Sequence, residues 1–275
     1  MCRESLSIAY SIRRIIKLSI ISTAFLCLAL LRSEEGLARA VNPVDLQLVI
    51  ALDVSTSMDL DERRLQRDGF AAAFREPEII QAIQRGPNRR IAVIVMEWAG
   101  ETRQNVILEW TEIADAAGAT AFADRLERRI PGRMALGTAI GAAMLRAAQL
   151  FGESPFDGGR RVINIAGDGI NNRGPEPAIV RDRLVARGIT INGLPIVYKS
   201  MLEGVVDRGD GRELRPGQLA AYFDREVVGG YGAFVEPVFH KQDFARGIRH
   251  KLLREIRGPD RLAADSHLEG GWPAR

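Results

Sequence analysis

Side chains that carry oxygen recur at three separate points of the 275-residue sequence. Asp53, Ser55 and Ser57 alternate directly after an apolar run, so a tight loop can turn all three toward one point. Thr138 opens an Ala-rich segment, and Asp168 lies between two glycines after another apolar run. Two carboxylates and three hydroxyls suit a hard divalent cation, because they balance its charge without filling its coordination shell. The residues therefore predict a Mg²⁺ site, with Ca²⁺ or Mn²⁺ as alternatives, that keeps one position for a partner's carboxylate.

Apolar runs precede both aspartates and predict the strands that position them. Leu46–Leu52 ends at Asp53, and Arg161–Ala166 ends just before Asp168; such runs are typical of buried parallel strands. Further strands are predicted at Ile91–Trp98, Asn105–Trp110, Thr190–Val197 and Ala233–Val238, and helices at Asp61–Phe74, Ala114–Arg129, Gly137–Phe151, Glu176–Arg187 and Lys241–Ile256. This alternation predicts an α/β fold with a mostly parallel sheet and helices on both faces. Because ligands bind at the carboxyl ends of parallel strands, we expect the three polar segments to meet at one edge.

The order of these residues resembles a known pattern. Asp-x-Ser-x-Ser at residues 53–57, a distant Thr at 138 and a distant Asp at 168 match the metal-ion-dependent adhesion site (MIDAS) of the von Willebrand factor type A domain. The resemblance runs from about Val44 to Ile256, and it looks closest to a group of exported bacterial A-domain proteins. It implies a doubly wound, six-stranded sheet with one short antiparallel edge strand.

The resemblance also implies a possible motion of the last helix. In related A domains this helix can slide along the sheet when the ion changes its direct ligands. The corresponding segment is Lys241–Ile256, whose apolar residues Phe244, Ile248, Leu252 and Ile256 are spaced four apart. A one-turn shift of about 5.4 Å would put one apolar residue where another had been. The same spacing is also that of an ordinary amphipathic helix, so both interpretations remain open.

Each motif residue alone has a simpler interpretation, and other chemistries have weaker support. Asp and Ser often cap helices, and Asp59 and Asp61 are expected to be first-turn helix acids rather than ligands. A calcium-binding EF-hand loop starting at Asp53 would need Gly and Glu where the chain has Met58 and Arg64. The sequence has no Gly-x-Ser-x-Gly, no His-Glu-x-x-His and no Walker loop. We therefore expect no enzymatic activity.

The first forty residues have the features of an export signal. Arg13, Arg14 and Lys17 precede an apolar run at Leu18–Leu31, and Ala38-Arg39-Ala40 gives a small-residue cleavage pattern. We predict a signal peptide at residues 1–40, an A-like domain at 41–257 and a flexible tail at 258–275, with an uncleaved membrane anchor as the alternative to cleavage. After cleavage the protein would be periplasmic or secreted and have no integral membrane span.

The excess of basic residues in the sequence lies in the predicted signal peptide. Six of the 38 basic residues and three of the 35 acidic ones lie in residues 1–40, so the rest of the chain is balanced and nucleic acid is not an expected partner.

The leading hypothesis is an exported binding protein whose ion captures an Asp or Glu side chain of a partner protein. The alternatives are a hydrolase that uses the same ion to activate water and a domain whose ion only ties loops together.

Overall fold

A computed structural model describes residues 42–197, 206–207, 213–214 and 218–269, with side chains as far as residue 261. The predicted signal peptide at residues 1–40 lies outside the described residues, as do residues 270–275 of the predicted tail. No helix in the described part of the chain combines the length and apolar character needed to cross a membrane.

A five-stranded sheet forms the centre of the domain. Its strands are β2 (Gln47–Asp53), β3 (Ile91–Trp98), β4 (Gln104–Ile113), β6 (Arg161–Gly167) and β7 (Ile189–Pro195). They lie in the order β4, β3, β2, β6, β7, and all neighbours are parallel except the β3–β4 pair. Short pairs join β1 (Asn42–Val44) to β5 (Phe156–Gly158) and β8 (Val206–Asp207) to β9 (Glu213–Leu214). The predicted α/β fold, mostly parallel with one antiparallel edge strand, is confirmed.

Helices cover both faces of this sheet. One face carries α1 (Leu60–Arg75), α2 (Pro77–Gln84), α3 (Ala116–Glu127) and α7 (Phe244–Glu269), and the other carries α4 (Ile140–Glu153), α5 (Pro177–Val185) and α6 (Gln218–Tyr222). Side chains of β2 alternate between the two faces, because successive residues of a strand point to opposite sides. Leu48 and Ile50 enter the first core, and Val49 and Ala51 enter the second. A strand buried on both sides explains the continuous apolar run in the sequence.

Two elements differ from their predicted form. The sixth strand, expected at Ala233–Val238, is reduced to two isolated bridges, from Val235 to Gly193 of β7 and from Val238 to Ile196, the residue after β7. Pro195 of β7 has no N–H to donate to the Glu236 carbonyl, so the ladder is interrupted between the hydrogen bonds at Gly193 and those at Val238. The last helix was expected to end at Ile256, but it continues to Glu269 across a kink at Gly258, whose φ is 72°. Glycine tolerates that positive φ without strain, so the chain bends there and then resumes helical conformation.

Candidate metal centre

The loop after β2 gathers the first three candidate ligands. Asp53 is the last residue of β2, and the backbone N–H of Ser55 donates a 2.7 Å hydrogen bond to its Oδ1. The hydroxyls of Ser55 and Ser57 are 2.9 Å apart and share a hydrogen bond. The loop ends in a capping box at the start of α1, where Asp59 accepts from the N–H of Glu62 and Glu62 accepts from the N–H of Asp59. Asp59 is therefore occupied as a helix cap.

Asp168 joins this loop from the neighbouring strand. Since β2 and β6 are adjacent and parallel, their carboxyl ends open onto the same edge of the sheet. Ser57 Oγ donates a 2.6 Å hydrogen bond to Asp168 Oδ1, across 111 residues of sequence. The structure thus brings together Asp53, Ser55, Ser57 and Asp168, as the sequence predicted.

Thr138 reaches the same edge through a contact that the sequence did not reveal. Its N–H donates to Asn172 Oδ1 at 2.8 Å, and the N–H of Asn172 donates back to the Thr138 carbonyl at 2.9 Å. Thr138 Oγ1 lies 3.5 Å from the point that a Cβ on Gly169 would occupy, so its hydroxyl faces the loop that carries Asp168. The N-cap position of α4 is Ala139, with no side-chain capping bond, so Thr138 does not act as a helix cap.

Asn171 and Asn172 are positioning residues that sequence reasoning missed. Asn172 makes the contacts with Thr138, and Asn171 Oδ1 accepts a 3.4 Å hydrogen bond from the N–H of Gly141 in the first turn of α4. Asn171 also donates its own N–H to the Tyr222 hydroxyl at 3.1 Å. The only sequence signal was two adjacent Asn residues shortly after a strand, a pattern that also occurs in ordinary turns.

The electrostatics of the centre favour a bound cation. Asp53 is fully buried, and no described residue donates a hydrogen bond to its Oδ2. Burial, and then the nearby charge of Asp168, raise the pKa of Asp53 to about 8, while hydrogen bonds from Ser55 and from the backbone of Asp168 act in the opposite direction. Asp53 and Trp98 both pack against Gly167, since a Cβ on that glycine would lie 3.0 Å from Asp53 Oδ2 and 3.3 Å from Trp98 Cζ2. A buried carboxylate oxygen without a donor fits a divalent cation, which would favour its charged form.

We expect the metal-free protein to lose stability as the pH rises. Between the ordinary pKa of 3.8 and the folded value of about 8, the folded chain holds a proton on Asp53 that the unfolded chain has released. The free energy of unfolding should then fall from about pH 4 to about pH 8, by at most about 1.4 kcal/mol per pH unit.

Thermal unfolding in EDTA at pH 5 and pH 8 measures this effect. The Asp53→Asn variant is the matched control, because it cannot titrate at this position and its melting temperature should fall less. Saturating Mg²⁺ should also reduce the fall in the wild type, since the ion takes the place of the proton. Parallel pH dependence of wild type and variant in EDTA would show that Asp53 titrates normally.

Sequence and structure comparisons identify relatives of the chain. A family model described as a protein of unknown function (DUF1194) matches residues 43–260. No curated protein matches the sequence. Proximal thread matrix protein 1 from the mussel byssus is 12% identical, with a TM-score of 0.53 over 78% of this chain and 49% of that one. The chain thus spans about half the length of the mussel protein, which has also been solved with zinc in its MIDAS motif.

Two bacterial structures are also similar. BatB from Bacteroides thetaiotaomicron is 22% identical, with a TM-score of 0.50 over 78% of this chain and 100% of that one. A von Willebrand factor type A protein from Catenulispora acidiphila is 15% identical, with a TM-score of 0.49 over 78% of this chain and 43% of that one. At such identities the likeness concerns the fold alone. Because the family model covers most of the sequence, the chain belongs to the DUF1194 family.

Proposed function

We propose that the chain is an exported protein-binding module that holds a divalent cation, Mg²⁺ in the first instance, at Asp53, Ser55, Ser57, Thr138 and Asp168. The observation that carries the proposal is the buried Asp53 carboxylate, whose Oδ2 accepts no hydrogen bond from the described residues. Such a group is unfavourable in a folded protein unless a cation or a proton compensates it. The serine hydroxyls and Asp168 provide further oxygen ligands around it.

The same site would capture an acidic group of a partner protein. Two carboxylates balance the charge of the ion, and the short side chains of Ser and Thr leave the coordination shell open toward solvent. Ser57 is exposed at the surface, whereas Asp53 is buried beneath it, so the open side of the site faces outward. An Asp or Glu carboxylate of the partner would complete the shell as a charged oxygen ligand.

We infer that the ion serves binding rather than catalysis. Activation of water by a metal usually requires a further side chain that accepts a proton. Both aspartates of the site would be occupied as ligands and could not also accept a proton from water. His250, a residue of a type that often acts as a base, lies on α7, where its Nδ1 is 2.9 Å from the carboxylate of Glu236 in the preceding segment. We also propose that residues 1–40 direct export of the protein to the periplasm or out of the cell. We propose a protein, and not a nucleic acid, as the partner.

A binding experiment with two matched variants tests the function. The immobilised domain would be exposed to extract from the exported fraction in Mg²⁺ and in EDTA, with Asp53→Asn as the site variant and Asp61→Asn as the surface control. We expect proteins to be retained by wild type and Asp61→Asn only in Mg²⁺, and by Asp53→Asn in neither condition. Retention that is unaffected by EDTA would reject the proposal, and turnover of a substrate that requires Asp53 would favour the hydrolase.

A further inference from the structure

Exposed apolar side chains lie on the two segments that carry or lead into the candidate ligands. Ile130 and Leu136 are 89% and 77% exposed, on the segment that leads into Thr138. Met134, on the same segment, and Leu60, the first residue of α1, are each nearly half exposed. We call Leu60, Ile130, Met134 and Leu136 the apolar rim. Exposed large apolar residues that cluster beside a functional site are typical of a contact surface.

The rim borders the ligands themselves. Ala135, between Met134 and Leu136, forms a parallel bridge with Ser55, and its N–H donates to the Val54 carbonyl at 3.3 Å. Leu136 is two residues before Thr138, and Leu60 is three residues after Ser57. A partner side chain that reached the ion would therefore have Leu60 and Leu136 close by, with Met134 and Ile130 on the segment that precedes Leu136.

Buried charged side chains fix the first part of this segment. Arg63 donates to the Gly132 carbonyl at 2.6 Å, and the Glu97 carboxylate accepts from the N–H of Gly132 at 3.0 Å. Arg67 donates to the carbonyl of Arg129, the residue before Ile130. Arg63, Arg67 and Glu97 are all buried. The backbone that presents Ile130 is thus held on both sides of this residue.

The second part of the segment is held in the same way. Besides the bridge at Ala135, the N–H of Ala139 donates to the Ala99 carbonyl at 2.8 Å, and Asn172 holds Thr138. A Cβ on Gly100 would lie 2.5 Å from the Leu136 carbonyl oxygen, so the segment packs closely on the β3–β4 turn. Apolar side chains on a fixed backbone bind with a small loss of conformational entropy, which favours a role in recognition.

Basic charge surrounds the rim. Arg128, Arg129, Arg133 and Arg173 are exposed, and none forms an ion pair with another described residue. The Arg173 side chain lies against Gly137, next to Thr138. Asp59, Asp61 and Glu101 are exposed acids on the neighbouring segments, so the four arginines outnumber them by one. An acidic partner complements this surface, and a basic one would be repelled.

We propose that the apolar rim and the surrounding arginines select an acidic protein segment in which the Asp or Glu that reaches the ion has a large apolar residue within about three positions. This inference rests on the proposed function and adds a preference to it. An ion alone would accept any accessible carboxylate. The rim would bury the neighbouring apolar side chain, and the arginines would favour additional acids around it.

A displayed library of random twelve-residue peptides provides the probe. The Mg²⁺-loaded domain would be immobilised and bound peptides eluted with EDTA. We expect the eluted peptides to be enriched in Asp or Glu with Leu, Ile, Met or Phe within three positions, and depleted in Lys and Arg. One selected peptide would then be synthesised with its acid changed to the amide and, separately, with its apolar residue changed to Ser.

The Ile130→Ser/Leu136→Ser double variant tests the rim directly. Both side chains are exposed, so the fold and the Mg²⁺ affinity measured by calorimetry should not change. We expect the double variant to bind the selected peptide at least tenfold more weakly than wild type does. Changing the apolar residue of the peptide to Ser should then weaken binding to the double variant little further. Ile179→Ser is the matched control, because Ile179 is 55% exposed on α5 and is not part of the rim.

The outcomes separate this inference from the function on which it rests. If EDTA elutes no acidic peptides, the proposed function fails. If it elutes acidic peptides without apolar neighbours, and the double variant binds them normally, the function stands and the inference is overturned. Two other results would also overturn the inference: wild type binds phosphatidylglycerol vesicles in EDTA, or it sediments as a dimer, and in either case the double variant does not. The rim would then contact lipid or a second copy of the chain.

Discussion

Replacement of Asp53 by alanine is expected to weaken Mg²⁺ binding by well over tenfold. The change removes one of the two carboxylates of the site, and each tenfold change in affinity corresponds to only about 1.4 kcal/mol. Asp53 lies at the end of β2, beneath the exposed Ser57, and its Oδ2 accepts no hydrogen bond from the described residues, so the ion would be its main compensation. Isothermal titration calorimetry with Mg²⁺, Ca²⁺ and Mn²⁺ measures the loss and ranks the ions.

The fold should survive this substitution. Removal of a buried carboxylate that lacks a full set of partners is not expected to destabilise the metal-free protein, and in EDTA the variant should melt at or above the wild-type temperature near pH 8. Asp61→Ala is the control, because Asp61 is an exposed acid in the first turn of α1 and should leave the affinity unchanged. Equal Mg²⁺ affinity in Asp53→Ala and wild type would exclude Asp53 as a ligand.

The sequence was sufficient to predict the candidate ligands because each of them lies next to a strand or helix that its own residues reveal. Asp53, Ser55 and Ser57 follow a strand that is recognisable from its apolar run, and Asp168 follows another. Asn172 could not be predicted, since its role depends on a contact with Thr138 across 34 residues of sequence. The anchoring of the loop at Gly132 depends likewise on Arg63 and Glu97, whose side chains belong to distant elements. Such contacts follow from tertiary packing and leave no characteristic spacing.

The last helix shows a similar limit. The apolar spacing correctly indicated that Phe244, Ile248 and Leu252 face the core, and all three are buried. It did not indicate that Lys251 and Glu255 also point inward, because a Lys and a Glu four residues apart usually form a pair on an exposed helix surface. In the structure these two side chains are 0% and 2% exposed. A polar contact with the sheet therefore lies next to the apolar face of α7.

This contact favours one register of the helix. Asn164 and Asn192 are partners on β6 and β7, and their Nδ2 atoms donate to the Glu255 carboxylate at 2.9 and 3.1 Å. Lys251 completes the cluster by donating to the same carboxylate. A one-turn shift of about 5.4 Å would bring Lys251 to the position of Glu255, and its ammonium would then face two amide donors. Sliding of α7, which the resemblance left open, would have to break this cluster.

Replacement of Lys251 by methionine is the second change with a large expected effect. It leaves the Glu255 carboxylate buried without its cation, and the loss of one partner from a buried ion pair typically costs about 3–5 kcal/mol. Burial already lowers the pKa of Lys251 while Glu255 opposes the shift, so the pair is maintained by their mutual attraction. Urea unfolding should show this loss as a lower midpoint. Arg249→Met is the control, because it removes one positive charge from an exposed position on the same helix, and its free energy of unfolding should stay within about 0.5 kcal/mol of wild type.

The same variant shows whether α7 and the metal centre are coupled. Asn164 belongs to β6, the strand that ends beside Asp168, so a helix that exchanged registers could transmit its position to the ion. If the cluster only holds one register, Lys251→Met should unfold at lower urea concentration but bind Mg²⁺ with unchanged affinity while folded. A several-fold change in affinity would instead reveal a two-state helix, with a coupling free energy of about 1–3 kcal/mol. Because the fixed register leaves the ligands in place, we expect destabilisation without a change in Mg²⁺ affinity.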